Sequence, residues 1–313
     1  MKKAIVTGAN GFVGIWLLKT LLANAIEVIA VVKDRDENVD DIKKMHGVEI
    51  VYCELADLSS LKAKLKKLGG KIDAFYHLAW CGSTGDSRGD YELQLNNAKY
   101  TVDAVKIAFE LGCKRFVGAG TLAEFDCNAY LPINGSTPSI VSNYGVAKIA
   151  AHYMSKAEAN RLGIDHVWAY LSNTYGIGNR TQNFINFAVK KMLVDDEVNF
   201  TTATQLYDFV YVSDIASALY LLAEKGRNNY AYYIGSTQPT ELKNYITMIR
   251  DAIDNSIVLN FGAVEFKGIK HPKEVFDCAE LVEQTGYCPK VSFEDGIRDT
   301  IKWLSTEISE GRI

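Results

Sequence analysis

Short runs of β-branched and apolar residues recur along the chain, separated by stretches in which apolar positions return every three or four residues. The runs at 2–7, 27–32, 48–53, 74–78, 115–118 and 166–169 predict strands, and the stretches at 12–23, 58–68, 93–111 and 144–161 predict helices. Such alternation builds a parallel sheet covered on both faces, so the expected fold class is α/β, a Rossmann-type doubly wound sheet. After Asn173 the pattern gives way to loops, a helix near 184–193, an apolar block at 209–223 and a short strand at 230–234 that should return to the sheet. The expected organisation is a dinucleotide-binding domain over residues 1–172 plus about 207–234. A smaller substrate-binding cap would comprise 173–206 and 235–313.

The first strand runs into Gly8, Gly11 and Gly14 and then a helix. Gly8 lets the chain reverse, Gly11 lets backbone approach a pyrophosphate, and Gly14 lets helix and strand pack closely, with amides at the helix start facing the anion. Asn10, Phe12 and Val13 complete this candidate cofactor turn. The second strand ends at Val32 and Lys33, where an enzyme that uses NAD commonly places a carboxylate for the ribose 2′-hydroxyl. With Arg35 nearby, two cations could neutralise a 2′-phosphate. This favours NADP over NAD, the alternative being a solvated loop of mixed charge over 33–36.

Tyr144 and Lys148 are four residues apart on a predicted helix and so project from one face. A phenol titrates near 10 and is a poor acid or base at neutral pH. An adjacent ammonium and an oxidised nicotinamide would lower that value, and three units would correspond to about 4 kcal/mol. Thr121, following the strand at 115–118, could hydrogen-bond the oxygen at a reacting carbon.

Composition narrows the partners. The chain has 313 residues, 48% of them hydrophobic, with a net charge of −4, so it presents no basic stripe for nucleic acid and no electrostatic attraction to an anionic membrane. The absence of a run of about 20 apolar residues, and a first strand that begins at once, point to a cytoplasmic protein without a signal peptide. The six cysteines show no metal-ligand spacing and are expected to be reduced structural thiols; no metal is expected.

Taken in order, these motifs resemble the extended short-chain dehydrogenases/reductases, the NAD-dependent epimerase/dehydratase family, over nearly the whole chain. TGANGFVG (7–14) is similar to the family's TGxxGxxG, Asp57 and Leu58 to its adenine-contacting Asp-Leu, HLAW (77–80) to its HLAA, and Asn97 with Thr101 to its NxxxT helix. GTLAEFD (120–126), YGVAK (144–148), NTYG (173–176), YDFVYVSDIASAL (207–219) and TGYCPKVSFEDGI (285–297) follow. The resemblance implies that Tyr144 exchanges the proton, Lys148 holds the nicotinamide ribose and assists it, and Thr121 orients the substrate oxygen. It also implies cofactor contacts from Leu78, Ala79 and Trp80. For Asn97 it implies support of a proton-relay water, with a purely structural role equally open. Asp57 could also cap a helix beginning at Leu58.

Dehydratases of the family carry Asp and Glu directly after the active-site Thr, whereas this chain has Leu122 and Ala123, with Glu124 one step further, where it could also face solvent. The resemblance therefore favours NADP(H)-dependent reduction of a nucleotide-linked 4-keto-6-deoxysugar, as in CDP-abequose and CDP-paratose synthases. An NAD-dependent 4-epimerase, a reductase of small non-nucleotide ketones and a non-catalytic NADP sensor are the alternatives. Tyr170, Tyr207 and His271 stand where many relatives have arginines, two of which grip the substrate diphosphate. Arg180, Lys270 and His271 are candidate replacements, and Asn173 could bond a phosphate or sugar. Trp80, Ser83 and Thr84, in or beside the glycine-rich loop 81–90, are candidate sugar contacts. The resemblance also implies a homodimer formed through the helices at 93–111 and 144–161.

Overall fold

The computed structural model describes residues 1–33, 39–65, 71–130, 138–195 and 197–313. Arg35 therefore lies outside the described residues. Six strands follow in order as β1 (Lys3–Thr7), β2 (Glu27–Val32), β3 (Val48–Tyr52), β4 (Ala74–His77), β5 (Arg115–Thr121) and β6 (Asp165–Leu171). With the strand Tyr230–Ile234 they form a seven-stranded sheet in the order β3-β2-β1-β4-β5-β6 followed by Tyr230–Ile234. Every pairing in it is parallel. Strands buried on both faces read as continuous apolar runs, and β2 is buried from Val28 to Val32.

The helices of this unit are α1 (Phe12–Ala23), α2 (Val39–Lys43), α3 (Leu61–Leu65), α4 (Tyr91–Glu110), α5 (Ala123–Tyr130) and α6 (Ser142–Leu162). Ile5, Ile29, Phe75, Phe116, Val105 and Ala159 form the apolar layer between the sheet and α4 and α6. The chain order reverses between β1 and β4, where ligands of open α/β sheets bind beyond the carboxyl ends of the strands. Pairing of Thr7 with His77, and of His77 with Gly118, aligns those ends.

The chain divides into two compact units. The first comprises Met1–Leu171, Ile215–Ile234 and Glu280–Tyr287; the second comprises Ser172–Asp214, Gly235–Ala279 and Cys288–Ile313. The helix Ala279–Thr285, expected in the cap, thus belongs almost wholly to the sheet unit, where Arg227 bonds Gln284 and Lys225 bonds the Thr285 carbonyl. Conversely, the strand Phe209–Tyr211 pairs with Asn173–Tyr175 in the second unit rather than joining the main sheet. That unit is built on aromatic contacts among Tyr175, Phe209, Tyr245 and Phe293.

Several predicted boundaries move. Of the stretch at 58–68, the described part falls in a 3-10 helix, Leu55–Ser60, that leads into α3, while 66–68 lie outside the described residues. Strand β5 continues to Thr121, three residues past its predicted end. Beta-carbons at Gly118 or Gly120 would overlap the buried Trp168 ring, so these glycines serve close packing within a strand, not a turn. Among the described residues no helix is long and apolar enough to cross a membrane, and no cluster of metal-ligating side chains occurs. All six cysteines are free, and four of them are buried.

Candidate active site

Gly8 adopts φ +67°, which only glycine takes without strain, and a Cβ there would lie 2.8 Å from the Ala79 amide nitrogen. A Cβ on Gly14 would overlap the Gly8 carbonyl and come within 2.7 Å of the Ala9 carbonyl oxygen. Helix α1 starts at Gly11 without a side-chain cap and without an acidic residue in its first turn. Its leading amides and the positive end of its dipole are thus left for an anion, a cradle that fits a dinucleotide pyrophosphate. Asn10 is buried in the turn, while Phe12 and Val13 open α1 half-buried.

Tight contact between Gly8 and Ala79 joins this turn to the segment after β4. The Leu78 amide donates to the Thr7 carbonyl, and Thr7 Oγ1 lies 2.9 Å from His77 Nδ1. Burial drives the His77 imidazole down to about 3, so the ring is neutral. Next in the chain, Trp80 donates its indole N–H to the buried Gln94 (2.8 Å) and meets the Tyr144 ring edge to face at 5.9 Å.

Helix α6 carries Tyr144 and Lys148 on one face, and both are buried. The Lys148 ammonium donates to the Ala119 carbonyl (2.7 Å) and sits 3.9 Å from the centroid of the Trp80 ring. The Thr121 hydroxyl bears on the Tyr144 phenol in the direction that favours the phenolate. Thr121, the last residue of β5, is fixed through its backbone: its amide donates to Glu124 Oε1 at 3.0 Å. The structure therefore brings together Gly8, Ala79, Trp80, Thr121, Tyr144 and Lys148.

The electrostatics depart from expectation. The Tyr144 phenol is pushed above its ordinary value because burial outweighs the Thr121 hydrogen bond and the positive charge of Arg88. Lys148 does not provide the expected lowering: its nitrogen is 6.0 Å from the Tyr144 ring centroid, and burial takes the amine itself down to about 7.

Other assignments resolve differently. Asn97 is buried and serves the turn after β4, accepting from the Cys81 amide (2.9 Å) and donating to the Cys81 and Leu93 carbonyls. Both of its amide protons are thus committed to backbone carbonyls. Glu124 does not face solvent; it is buried, and its Oε1 also accepts from Trp168 Nε1. Asp57 lies inside the 3-10 helix and pairs with Lys64 (3.6 Å) instead of capping a helix, while Leu58 is a core residue. Lys33 is exposed just beyond β2. Ser83 and Thr84 are exposed, in a loop held at both ends: the Gln94 amide donates to the carbonyls of Gly82 and Ser87, and Asn143 donates to that of Gly89.

Asn173, Arg180 and His271 belong to the second unit. The Asn173 amide lies 3.4 Å from the Asp208 carbonyl. Arg180 is paired with the buried Glu307 (2.7 Å), which accepts from Arg312 as well, so Arg180 anchors the C-terminal helix and is not a free diphosphate clamp. His271 packs edge to face on Phe276, and Lys270 lies within 3.4 Å of Thr204 Oγ1. Sequence reasoning missed Arg88, whose guanidinium carbon stands 4.4 Å from the Tyr144 ring centroid. It also missed Gln94, which is 0% exposed and holds both Trp80 and the loop; its place one turn before Asn97 on the same helix was the available signal.

Comparison with known proteins agrees with this geometry. The chain is 23% identical to CDP-abequose synthase of Salmonella muenchen, over 95% of this chain and 96% of that protein. It is also 23% identical to dTDP-4-dehydro-6-deoxyglucose reductase of Escherichia coli, over 95% and 96%. Its fold superposes on UDP-glucuronic acid 4-epimerase from Bacillus cereus in complex with NAD, with a TM-score of 0.76, 21% identity and coverage of 97% of this chain and 99% of that one. Residues 4–235 match the NAD dependent epimerase/dehydratase family, and the chain, with its glycine turn at β1 and its Thr121, Tyr144 and Lys148, belongs to that family of enzymes.

Proposed function

We propose that this enzyme is an NADP(H)-dependent reductase of a nucleotide-linked 4-keto-6-deoxysugar and acts as a homodimer. The observation that carries the reading is the burial of Tyr144 and Lys148 on one face of α6, with Lys148 against the Trp80 ring beside the segment that abuts the glycine turn. A nicotinamide bound there supplies the hydride. Tyr144 gives its phenolic proton to the carbonyl oxygen as that oxygen becomes a hydroxyl, and the Thr121 hydroxyl orients the same oxygen. Lys148, poised near neutrality at about 7, binds the cofactor ribose.

Elimination of water is disfavoured because Leu122 and Ala123 carry no acid or base and Glu124 is committed to the Thr121 amide and the Trp168 indole. Lys33 beyond an apolar strand end suits a 2′-phosphate better than a 2′-hydroxyl, which supports NADP. The E. coli relative named a reductase supports the reaction class. An NAD-dependent 4-epimerase is the second reading, favoured by the NAD-bound epimerase that shares the fold. Exposed Tyr91 and Leu95 on α4 and Val146, Tyr153 and Met154 on α6 support the homodimer.

The test is incubation with CDP-, dTDP-, GDP- and UDP-linked 4-keto-6-deoxysugars and either NADPH or NADH. Stoichiometric oxidation of NADPH by one of them is expected. No turnover with any would overturn the reductase reading, and a clear preference for NADH would overturn the phosphate contact at Lys33.

A further inference from the structure

We infer that Arg88, from the loop between β4 and α4, is a positioning residue that sets the acidity of the Tyr144 phenol. The inference rests on the reading of Tyr144 as the acid–base group. Arg88 lies in the 3-10 turn Gly85–Gly89, and its guanidinium carbon is 4.4 Å from the Tyr144 ring centroid. A guanidinium on the face of a phenol is attracted to the neutral ring, and more strongly to a phenolate, in which negative charge spreads into the ring. Among the described residues Arg88 Nε is buried without a hydrogen-bond partner.

The support of the turn keeps the cation in place. Gln94 and Asn97, both buried on α4, bond the carbonyls of Cys81, Gly82 and Ser87; Asp90 caps α4 through the Leu93 amide; Asn143, the neighbour of Tyr144, bonds the Gly89 carbonyl. The position of Arg88 is thus tied to the helix that carries the phenol.

The groups facing Tyr144 come from four further elements. Lys148 on α6 lies 6.0 Å from the ring centroid and is pinned to the Ala119 carbonyl and the Trp80 ring. Glu124 on α5 opposes phenolate formation, the Thr121 hydroxyl of β5 favours it, and Trp80 after β4 contributes an uncharged edge. Among the described residues Arg88 is the cation nearest the ring, and its charge acts in the direction that lowers the phenol.

The test isolates one phenol of the 17 tyrosines by subtraction. Phenolate absorbance is titrated for wild type and Tyr144→Phe, and again for Arg88→Gln with and without Tyr144→Phe, all loaded with NADP+ and then with NAD+. The Tyr144 difference should appear at higher pH in Arg88→Gln, and Arg88→Lys should recover most of the wild-type position. In the direction of alcohol oxidation, kcat of Arg88→Gln at neutral pH should fall about tenfold, with KM changing less.

An unmoved titration in an Arg88→Gln protein that melts like wild type overturns the inference. So does failure of Arg88→Lys to recover it while Arg88→Gln folds normally. Full turnover by Tyr144→Phe instead overturns the acid–base reading, a result separable from the other two because the titration needs no substrate.

Discussion

The Lys148 ammonium stands 3.9 Å from the centroid of the Trp80 indole while donating to the Ala119 carbonyl. These contacts oppose, without cancelling, the cost of burying the charge, since the amine falls from 10.5 to about 7. In an unfolded chain the same amine keeps its proton to about pH 10. Between those values the unfolded chain binds the extra proton, so this residue's contribution to stability rises with pH through that window. Below pH 7 both states are protonated and the folded protein bears the whole penalty.

Lys148→Met should therefore raise the Tm of the cofactor-free protein at pH 6, by roughly 3–6 °C. The gain should shrink steadily towards pH 10. Scanning calorimetry over that range measures it, and a gain independent of pH would show that packing, not charge, is responsible. Turnover should be lost in the same variant.

Glu124 holds two buried donors with one oxygen, the Thr121 amide and the Trp168 indole. Replacing it by Leu leaves both unsatisfied, each at a cost of about 1–3 kcal/mol, and frees Thr121, which is proposed to orient the substrate oxygen. Urea denaturation should show Glu124→Leu destabilised by about 3 kcal/mol with kcat down at least tenfold. Glu124→Gln, which keeps an acceptor in place, should lose less than half of each. Equal effects of the two substitutions would refute the role assigned to the hydrogen bonds.

Much of the sheet unit was legible because its strands are buried on both faces and so announce themselves as apolar runs; the strand Tyr230–Ile234 was read to the residue. The end of β5 was not. The strand was read as ending at Gly118, and the reason Gly118 and Gly120 are small, the Trp168 ring, is brought from β6 about fifty residues away. The glycine turn and the Tyr144–Lys148 spacing were legible since both are local geometry. The acidity of Tyr144 was not, because it depends on burial and on Arg88, a cation in a polar loop with nothing in its neighbours to mark it. Arg180 misled for a related reason: its partner Glu307 lies 127 residues on.

The glycine turn admits a sharp steric test. A methyl group at Gly14 would overlap the Gly8 carbonyl and press on that of Ala9, so α1 must move away from β1 or the turn must open. Either shift displaces the amides at the start of α1 that are proposed to face the pyrophosphate. Gly14→Ala should weaken NADP(H) binding at least tenfold, read by quenching of intrinsic fluorescence, and cost about 1–3 kcal/mol of stability. Unchanged affinity would mean that the dinucleotide is not seated on this turn.

Helices α4 and α6 pack side by side and leave an apolar row in water. Tyr153 is 78% exposed, Tyr91 60%, Leu95 58%, Met154 53% and Val146 51%. Tyr91 and Leu95 are four apart, and Val146 and Tyr153 are seven apart, so each helix presents a stripe, and a second copy placed across a two-fold axis would bring like stripes together. Burial of such side chains contributes roughly 25 cal/mol per Å², whereas an inserted charge must be desolvated without a partner. Light scattering should give a dimer mass for the wild type and a monomer for Tyr153→Glu combined with Leu95→Glu. Because Tyr144 and Lys148 lie on the inward face of α6, the monomer should still bind cofactor. A wild-type monomer at micromolar concentration would reject the dimer and leave the apolar row to be explained by another partner.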